Sequence, residues 1–308
     1  MHIHWFPGHM AKARRMMEDH IKKVDVIIEL LDARIPRSSA NPMIRELVGN
    51  KPHVVLLNKV DLADPKVTKE WIQFFKGEGI DVITVDAKTG RGQKELLKAV
   101  EKKSAPIIER WTKKGMKARA VRTMILGIPN VGKSTLINSL AGRAAAAVAD
   151  KAGKTRGQQW VRIGKNLELL DTPGVLWPKL EDQRAAARLA FTGALSDDVY
   201  DLETVTNWLF ESLMEQVPEL VKERYKLTGE EELSTQNFFE LMGKKRGALL
   251  PGGIVDMEKA RRILLGDYRD MRLGKLSFDT PHEETYFTSL EEAEEMLRRD
   301  EAAGKARR

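Results

Sequence analysis

"HVVLLNKVDLAD", residues 53–64, runs an apolar segment straight into Asn-Lys-x-Asp. A near-continuous apolar run that ends in polar residues reads as a buried strand of a parallel sheet. The tetrad at its end has the chemistry of a guanine reader. The Asp61 carboxylate can accept from guanine N1–H and N2–H2, Asn58 can meet the opposite edge of the base, and Lys59 can lay its alkyl stem over the purine face. Adenine offers neither donor, and a site built on a carboxylate that must be paired rejects the wrong base by about 10⁴ to 10⁵. Alone, Asn-Lys-x-Asp equally describes a polar strand end. A phosphate-binding loop would decide between the two, and none precedes residue 53.

That loop comes later. "GIPNVGKS", Gly127–Ser134, fits G-x-x-x-x-G-K-[ST] at every fixed position, after the strand pattern "AVRTMILG" (120–127) and before a helical one. Its backbone N–H groups can curl around a β-phosphate, with Asn130, Val131, Gly132, Lys133, Ser134 and Thr135 forming the cradle and Lys133 reaching the β/γ oxygens. The Ser134 hydroxyl can ligate Mg2+. "LELLDTPG" (167–174) follows, in which Asp171 ends a strand and can hold the metal through a water while the Gly174 N–H faces the γ-phosphate. Thr155 in "AGKTRG" lies between them, where a switch segment supplies a second Mg2+ ligand. "DAKTG" (86–90) places Asp86, Ala87 and Lys88 in a loop whose Ala87 N–H can touch the guanine carbonyl oxygen and whose Lys88 can cover the ring.

In the usual GTPase order the phosphate loop, switch Thr and DTPG come before Asn-Lys-x-Asp and the Ala-Lys loop. Here the last two come first. Strands of an open sheet can be relinked when the original termini lie close together, so the order predicts a circularly permuted GTPase. The expected fold is α/β, a P-loop NTPase (Ras-like) domain with permuted strand order over 1–178. "DVIIELLDA" (25–33), "IDVITVDA" (80–87) and an antiparallel edge hairpin made by "QWVRIG" (159–164) complete the sheet. Helical spacing covers 9–23, 66–76 and 91–103, with 104–118 expected as a helix end and connector. Beyond Pro178 the strand signal disappears, and helices are expected at 182–192, 201–215, 217–227, 235–245 and 256–270. Residues 179–308 therefore read as an all-α domain.

The 308 residues allow two such domains. There is no cysteine, which excludes disulfides, thiol catalysis and Cys-ligated zinc. Lys+Arg exceed Asp+Glu by 52 to 45, and residues 236–275 hold nine Lys/Arg against five Asp/Glu, which points to a polyanionic partner. Lys12, Arg14, Arg15, Lys244, Lys245, Arg246, Arg261 and Arg262 are the candidate RNA-facing cations. No secretory signal or membrane span is read from the sequence, so the expectation is a soluble, cytoplasmic monomer without stable membrane association and without DNA as a partner.

The chain resembles the YlqF/RbgA family of bacterial ribosome-assembly GTPases. The residues that carry the likeness are "WFPGHMAKA" (5–13), "DARIP" (32–36), "NKVD" (58–61), "GIPNVGKST" (127–135), "QQW" (158–160), "LLDTPGVLWPK" (169–179) and the C-terminal "KKRGAL" and "PGG". The likeness spans essentially the whole chain. It implies GTP/GDP as ligand, late maturation of the large (50S) ribosomal subunit as the task, and rRNA binding partly through the helical domain. Val175 stands where Ras-like GTPases place a water-orienting Gln, and a valine cannot orient water by hydrogen bonding. The resemblance gives that role to His9. It also gives Asn130 a K+ ion, supplying positive charge where other GTPases insert an arginine; a turn-forming asparagine is the alternative. Other readings are an RNA-binding placeholder that switches with nucleotide but turns over negligibly, and a GTPase acting on tRNA or at a membrane surface.

Overall fold

The structure, a computed structural model, describes residues 15–41, 44, 47–117, 119–142, 159–163, 166–171, 182–227 and 234–282, with the side chains of Gln159 and Asp171 left aside. Six strands form one sheet: β1 (Val26–Asp32), β2 (His53–Asn58), β3 (Asp81–Thr84), β4 (Val121–Leu126), β5 (Gln159–Ile163) and β6 (Leu167–Asp171), in the order β3-β2-β1-β4-β6-β5. Every pair is parallel except the β5–β6 hairpin. Counting from β4 through β6 and returning to β1, the phosphate-loop strand takes the central place it holds in an unpermuted GTPase. The permuted order expected from the motifs is the order observed.

Side chains alternate across this sheet because the strand period is two. Val26, Ile28 and Leu30 of β1 face one way with Val54, Leu56 and Ile125, covered by α3 (Gln93–Lys113) and α4 (Lys133–Ala141) through Leu96, Val100, Leu136 and Ile137. Ile27, Met124, Leu126 and Leu170 face the other way, under Met17 and Ile21 of the helical stretch 15–21. That stretch is thus more than a basic surface: its apolar stripe roofs the sheet. Leu31, Val55 and Leu57 meet Trp71 and Phe75 of α2 (Pro65–Gly77). A short α1 (Pro36–Ser39) follows β1.

Expected and observed elements part company in α3. The reading ended this helix near residue 103, yet it runs for 21 residues to Lys113 with Pro106 inside. Proline removes one N–H and crowds the preceding turn. The residues after it can still continue the helix, held here by Lys113 to Glu109 at 2.7 Å and by Thr112 Oγ1 donating to Ile108 O.

Beyond residue 182 come α5 (Gln183–Phe191), α6 (Leu202–Gln216), α7 (Pro218–Tyr225), α8 (Thr235–Lys245) and α9 (Met257–Arg269). Asp182, Asp201, Ser234 and Asp256 cap four of them with side-chain acceptors, which is why their starts were legible. Phe210 and Phe238 stack at 4.2 Å in the centre of this helical unit.

The chain then turns back to the sheet. Phe278 N–H donates to Arg34 O, and the fully buried Asp279 accepts from Ser38 N at 2.6 Å, Ser38 Oγ at 2.9 Å and Arg188 Nη1 at 2.7 Å. Trp71 Nε1 donates to the carbonyl of the same residue. Asp279 therefore clasps α1, α2 and α5 together. Asp279→Ala is expected to cost about 2 to 3 kcal/mol, because buried donors lose their acceptor. Urea unfolding measures it, and a loss under about 0.5 kcal/mol would remove the clasp from the account.

Candidate functional site

The cleft lies where α/β sheets bind ligands, at the carboxyl ends of the parallel strands. It encloses about 280 Å3 and is lined by residues from the β2 and β3 ends, from the phosphate loop and from the helical unit.

The loop 127–132 joins β4 to α4 and needs its glycines. A Cβ at Gly127 would stand 2.7 Å from Leu30 O, and Gly132 has φ +106° where an added Cβ would run into the Asn58 amide nitrogen. Asn130 also takes a left-handed turn, φ +56°. Lys133 is buried, and its Nζ donates to Gly127 O at 3.0 Å and Ile128 O at 2.7 Å, folding the cation back over the loop it serves. Ser134 and Thr135 are exposed in the first turn of α4, and Thr135 lines the cleft. Asp171 closes β6, the neighbour of β4.

Asn58 joins the two halves of the permuted site. Its Nδ2 donates to Val131 O at 2.8 Å and its Oδ1 accepts from Ala87 N at 3.1 Å. Two expected base contacts are thereby rearranged: the Ala87 N–H meant for the guanine carbonyl is held by Asn58, and Asn58 keeps only its second Nδ2 proton for a base. Asp86 is occupied too. Its carboxylate accepts from Lys88 N, Thr89 N and Thr89 Oγ1, so it shapes the loop. Burial would raise its pKa, but these donors outweigh burial and hold it below the usual carboxylate range. Asp61 is different. It lines the cleft, and its carboxylate makes no hydrogen bond or ion pair among the described residues, which leaves both oxygens for a ligand. Lys88 lines the cleft beside it.

Lys59, at φ +61°, has its Nζ 3.0 Å from Asp32 Oδ2. Burial lowers its pKa against the attraction of Asp32. Asp32 in turn holds Arg34, accepting from its Nε at 2.9 Å, its Nη2 at 2.8 Å and its backbone N at 3.1 Å. The Asp32–Arg34 pair sits in "DARIP", a quoted stretch to which the sequence reading gave no chemistry. An Asp and an Arg two residues apart beyond an apolar strand were the available signal.

The helical unit closes one side of the cleft. Arg34 Nη2 donates to Thr192 O at 3.3 Å, Asn130 Nδ2 donates to Gly193 O at 2.8 Å, and Thr192 and Arg269 line the cavity. No local pattern announced Thr192 or Arg269. His9, Thr155, Gly174 and Val175, together with Lys12 and Arg14, lie outside the described residues.

Of the remaining basic candidates, Arg15, Lys244, Lys245, Arg246 and Arg262 are exposed. Arg262 is engaged by Glu258 and Asp197. Arg261 is a correction. It is buried, donates to Thr206 Oγ1, Asn207 Oδ1 and Glu203 Oε1, and stands 4.4 Å over the Phe239 ring, so it binds α9 to α6 and faces no RNA.

Residues 122–223 match a family model described as 50S ribosome-binding GTPase. Over 283 residues the chain is 47% identical to ribosome biogenesis GTPase A of Bacillus cereus, spanning 92% of this chain and 95% of that one. The chain belongs to the ribosome biogenesis GTPase A family. The Thermotoga maritima member is 33% identical over 91% of this chain and 95% of its own. Solved structures of GNP-bound YlqF from T. maritima and of GDP-bound TM YlqF superpose with a TM-score of 0.66 each, at 31% and 30% identity, covering 88% and 87% of this chain and 99% and 100% of theirs. As a family member the chain is a GTPase that binds GTP and GDP. No helix among the described residues is long and apolar enough to cross a membrane.

Proposed function

We propose that this GTPase is an assembly factor for the large ribosomal subunit, binding rRNA and leaving after GTP hydrolysis. The observation that carries the reading is the cleft wall itself. The phosphate loop is hydrogen-bonded through Asn130 to Gly193 of the helical unit, the same unit that exposes Lys244, Lys245 and Arg246, so the nucleotide site and a basic surface share one unit. The names of the relatives supply the ribosome.

Mg2+ fits the site: the exposed Ser134 hydroxyl stands at the start of α4, and Asp171 ends the strand next to β4. Ser134 and Thr155 would be direct ligands and Asp171 would act through a water; the ion would neutralise charge between the β- and γ-phosphates. K+ would be held by Asn130 Oδ1, the side-chain atom not engaged in the Nδ2 bond to Gly193 O. Lys133 would leave its two loop carbonyls for the phosphates. The His9 imidazole would accept a proton from the attacking water, with Gly174 N–H facing the γ-phosphate.

The test is turnover stimulated by large subunits. His9→Ala is expected to lose at least about a hundredfold of the stimulated rate, the lower side of general-base contributions, with GTP affinity unchanged. Full stimulated turnover in that variant would end the role of His9, and equal rates in KCl and NaCl would end that of K+.

A further inference from the structure

We propose that Arg269, carried by α9 in the helical unit, is a ligand of the bound nucleotide, donating to its diphosphate and setting how long the nucleotide stays. The proposal rests on the nucleotide occupying the cleft between the phosphate loop and Asp61.

Arg269 lines that cleft although it lies 135 residues beyond Ser134 in the chain. Its placement is rigid. Nε donates to Phe191 O at 3.0 Å and Nη2 to Ala190 O at 2.8 Å, so the guanidinium caps the last carbonyls of α5, where a cation also suits the helix dipole. The next two residues are those that touch the nucleotide machinery, Thr192 through Arg34 and Gly193 through Asn130. Arg269 therefore stands one backbone turn from a residue of the phosphate loop.

The guanidinium also has donors to spare. An arginine offers five N–H groups in a planar fork. Nε and Nη2 are used, with Asp197 Oδ1 at 3.5 Å and Tyr200 Oη at 3.4 Å as longer neighbours of Nη2. Nη1 makes no hydrogen bond among the described residues. The side chain is 29% exposed, and a planar fork with a free edge suits phosphate oxygens.

Charge balance favours the same ligand. Lys59 and Arg34 share one carboxylate, Asp32, and Asp197 is shared between Arg269 and Arg262. Among the residues that line the cleft, the four cations Arg34, Lys59, Lys88 and Arg269 stand against two acids, Asp61 and Asp86, and a diphosphate would supply the difference. Linkage makes the consequence reciprocal: nucleotide strengthens the seating of the helical unit, and a partner that draws this unit away withdraws Arg269 and speeds release.

The experiment uses the full chain, with stopped-flow release of mant-GDP and equilibrium competition by guanosine. Arg269→Ala is expected to release mant-GDP about ten- to a hundredfold faster, as for loss of a hydrogen bond to a charged group. Its affinity for guanosine, which lacks phosphate, should be unchanged. Arg269→Lys, which keeps the charge and loses the fork, should lie between, and keeps the test open if the alanine variant folds poorly. Arg272→Ala, on the Asp267 side of the helical unit, should release at the wild-type rate. Wild-type release in Arg269→Ala, or equal weakening of GDP and guanosine, would overturn the proposal and leave Arg269 a helix cap. A wild-type chain that binds no mant-GDP would sink the site assignment and this proposal with it.

Discussion

Asp32→Ala is expected to destabilise the chain by about 3 to 5 kcal/mol, because it leaves the buried Arg34 guanidinium without its counter-charge. Asp32 is 2% exposed and Arg34 3%, so water cannot replace the lost carboxylate without opening the site. Lys59 would lose its anchor at the same time. The melting temperature should fall by roughly 10 °C, and GDP affinity should fall with it, since Lys59 and the Arg34–Thr192 contact both border the cleft. The pair also predicts a pH dependence. Burial alone would raise the Asp32 pKa, but the charge and hydrogen bonds of Arg34, with Lys59, bring it down to about 2 from 3.8. A depressed carboxyl pKa gives stability that is present above the unfolded value, near pH 4, and lost as pH falls through about 2. The contribution is about 2 kcal/mol. Acid unfolding followed by circular dichroism should show this loss in the wild type and not in Asp32→Ala. Identical acid profiles would remove Asp32 from the account.

The second large effect is on base choice. Asp61→Ala should abolish most discrimination between GTP and ATP, a change of up to about 10⁴, because the carboxylate left unpaired by adenine is the source of the rejection. Asp61 is the acid of the cleft whose oxygens have no partner among the described residues, whereas Asp86 is spent on its own loop and Asp32 on Arg34 and Lys59. Competition of GTP and ATP against mant-GDP reads the ratio directly. A variant that still prefers GTP by more than about a thousandfold would move guanine recognition to Asn58 and the Ala87 loop.

How far the sequence carries this molecule follows from the range of the interactions involved. Strand runs such as 53–58 and helices that start behind Asp182, Asp201, Ser234 and Asp256 announce themselves within a few residues, and the observed bounds lie close to those expected. The order of motifs was enough for the permutation, since each motif is local. Missed features are tertiary. Arg261 and Arg262 are adjacent and chemically identical on paper, yet the helix turns the first into the α6 contact and the second toward solvent. Asp279 finds Ser38 across 241 residues, and Asn130 finds Gly193 across 63. The charged stretch after Ser104 misled in the opposite direction: its weak apolar pattern reads as a connector, yet the helix continues through Pro106 to Lys113. The guanine loop shows a subtler limit. Motif chemistry named several residues that line the cleft, but which N–H is already spent on Asn58 and which carboxylate is open emerge only when the two ends of the permuted site meet.

The account's central claim is that a permuted guanine-nucleotide site is completed as an enzyme by its ribosomal partner. Multiple-turnover GTP hydrolysis in KCl, with and without purified large ribosomal subunits and with ATP as the control nucleotide, tests it most directly. The account predicts slow hydrolysis by the chain alone, strong stimulation by the subunit, and stimulation for GTP only. Tight GTP binding with no stimulation would contradict it and leave a nucleotide-switched RNA-binding placeholder in its place.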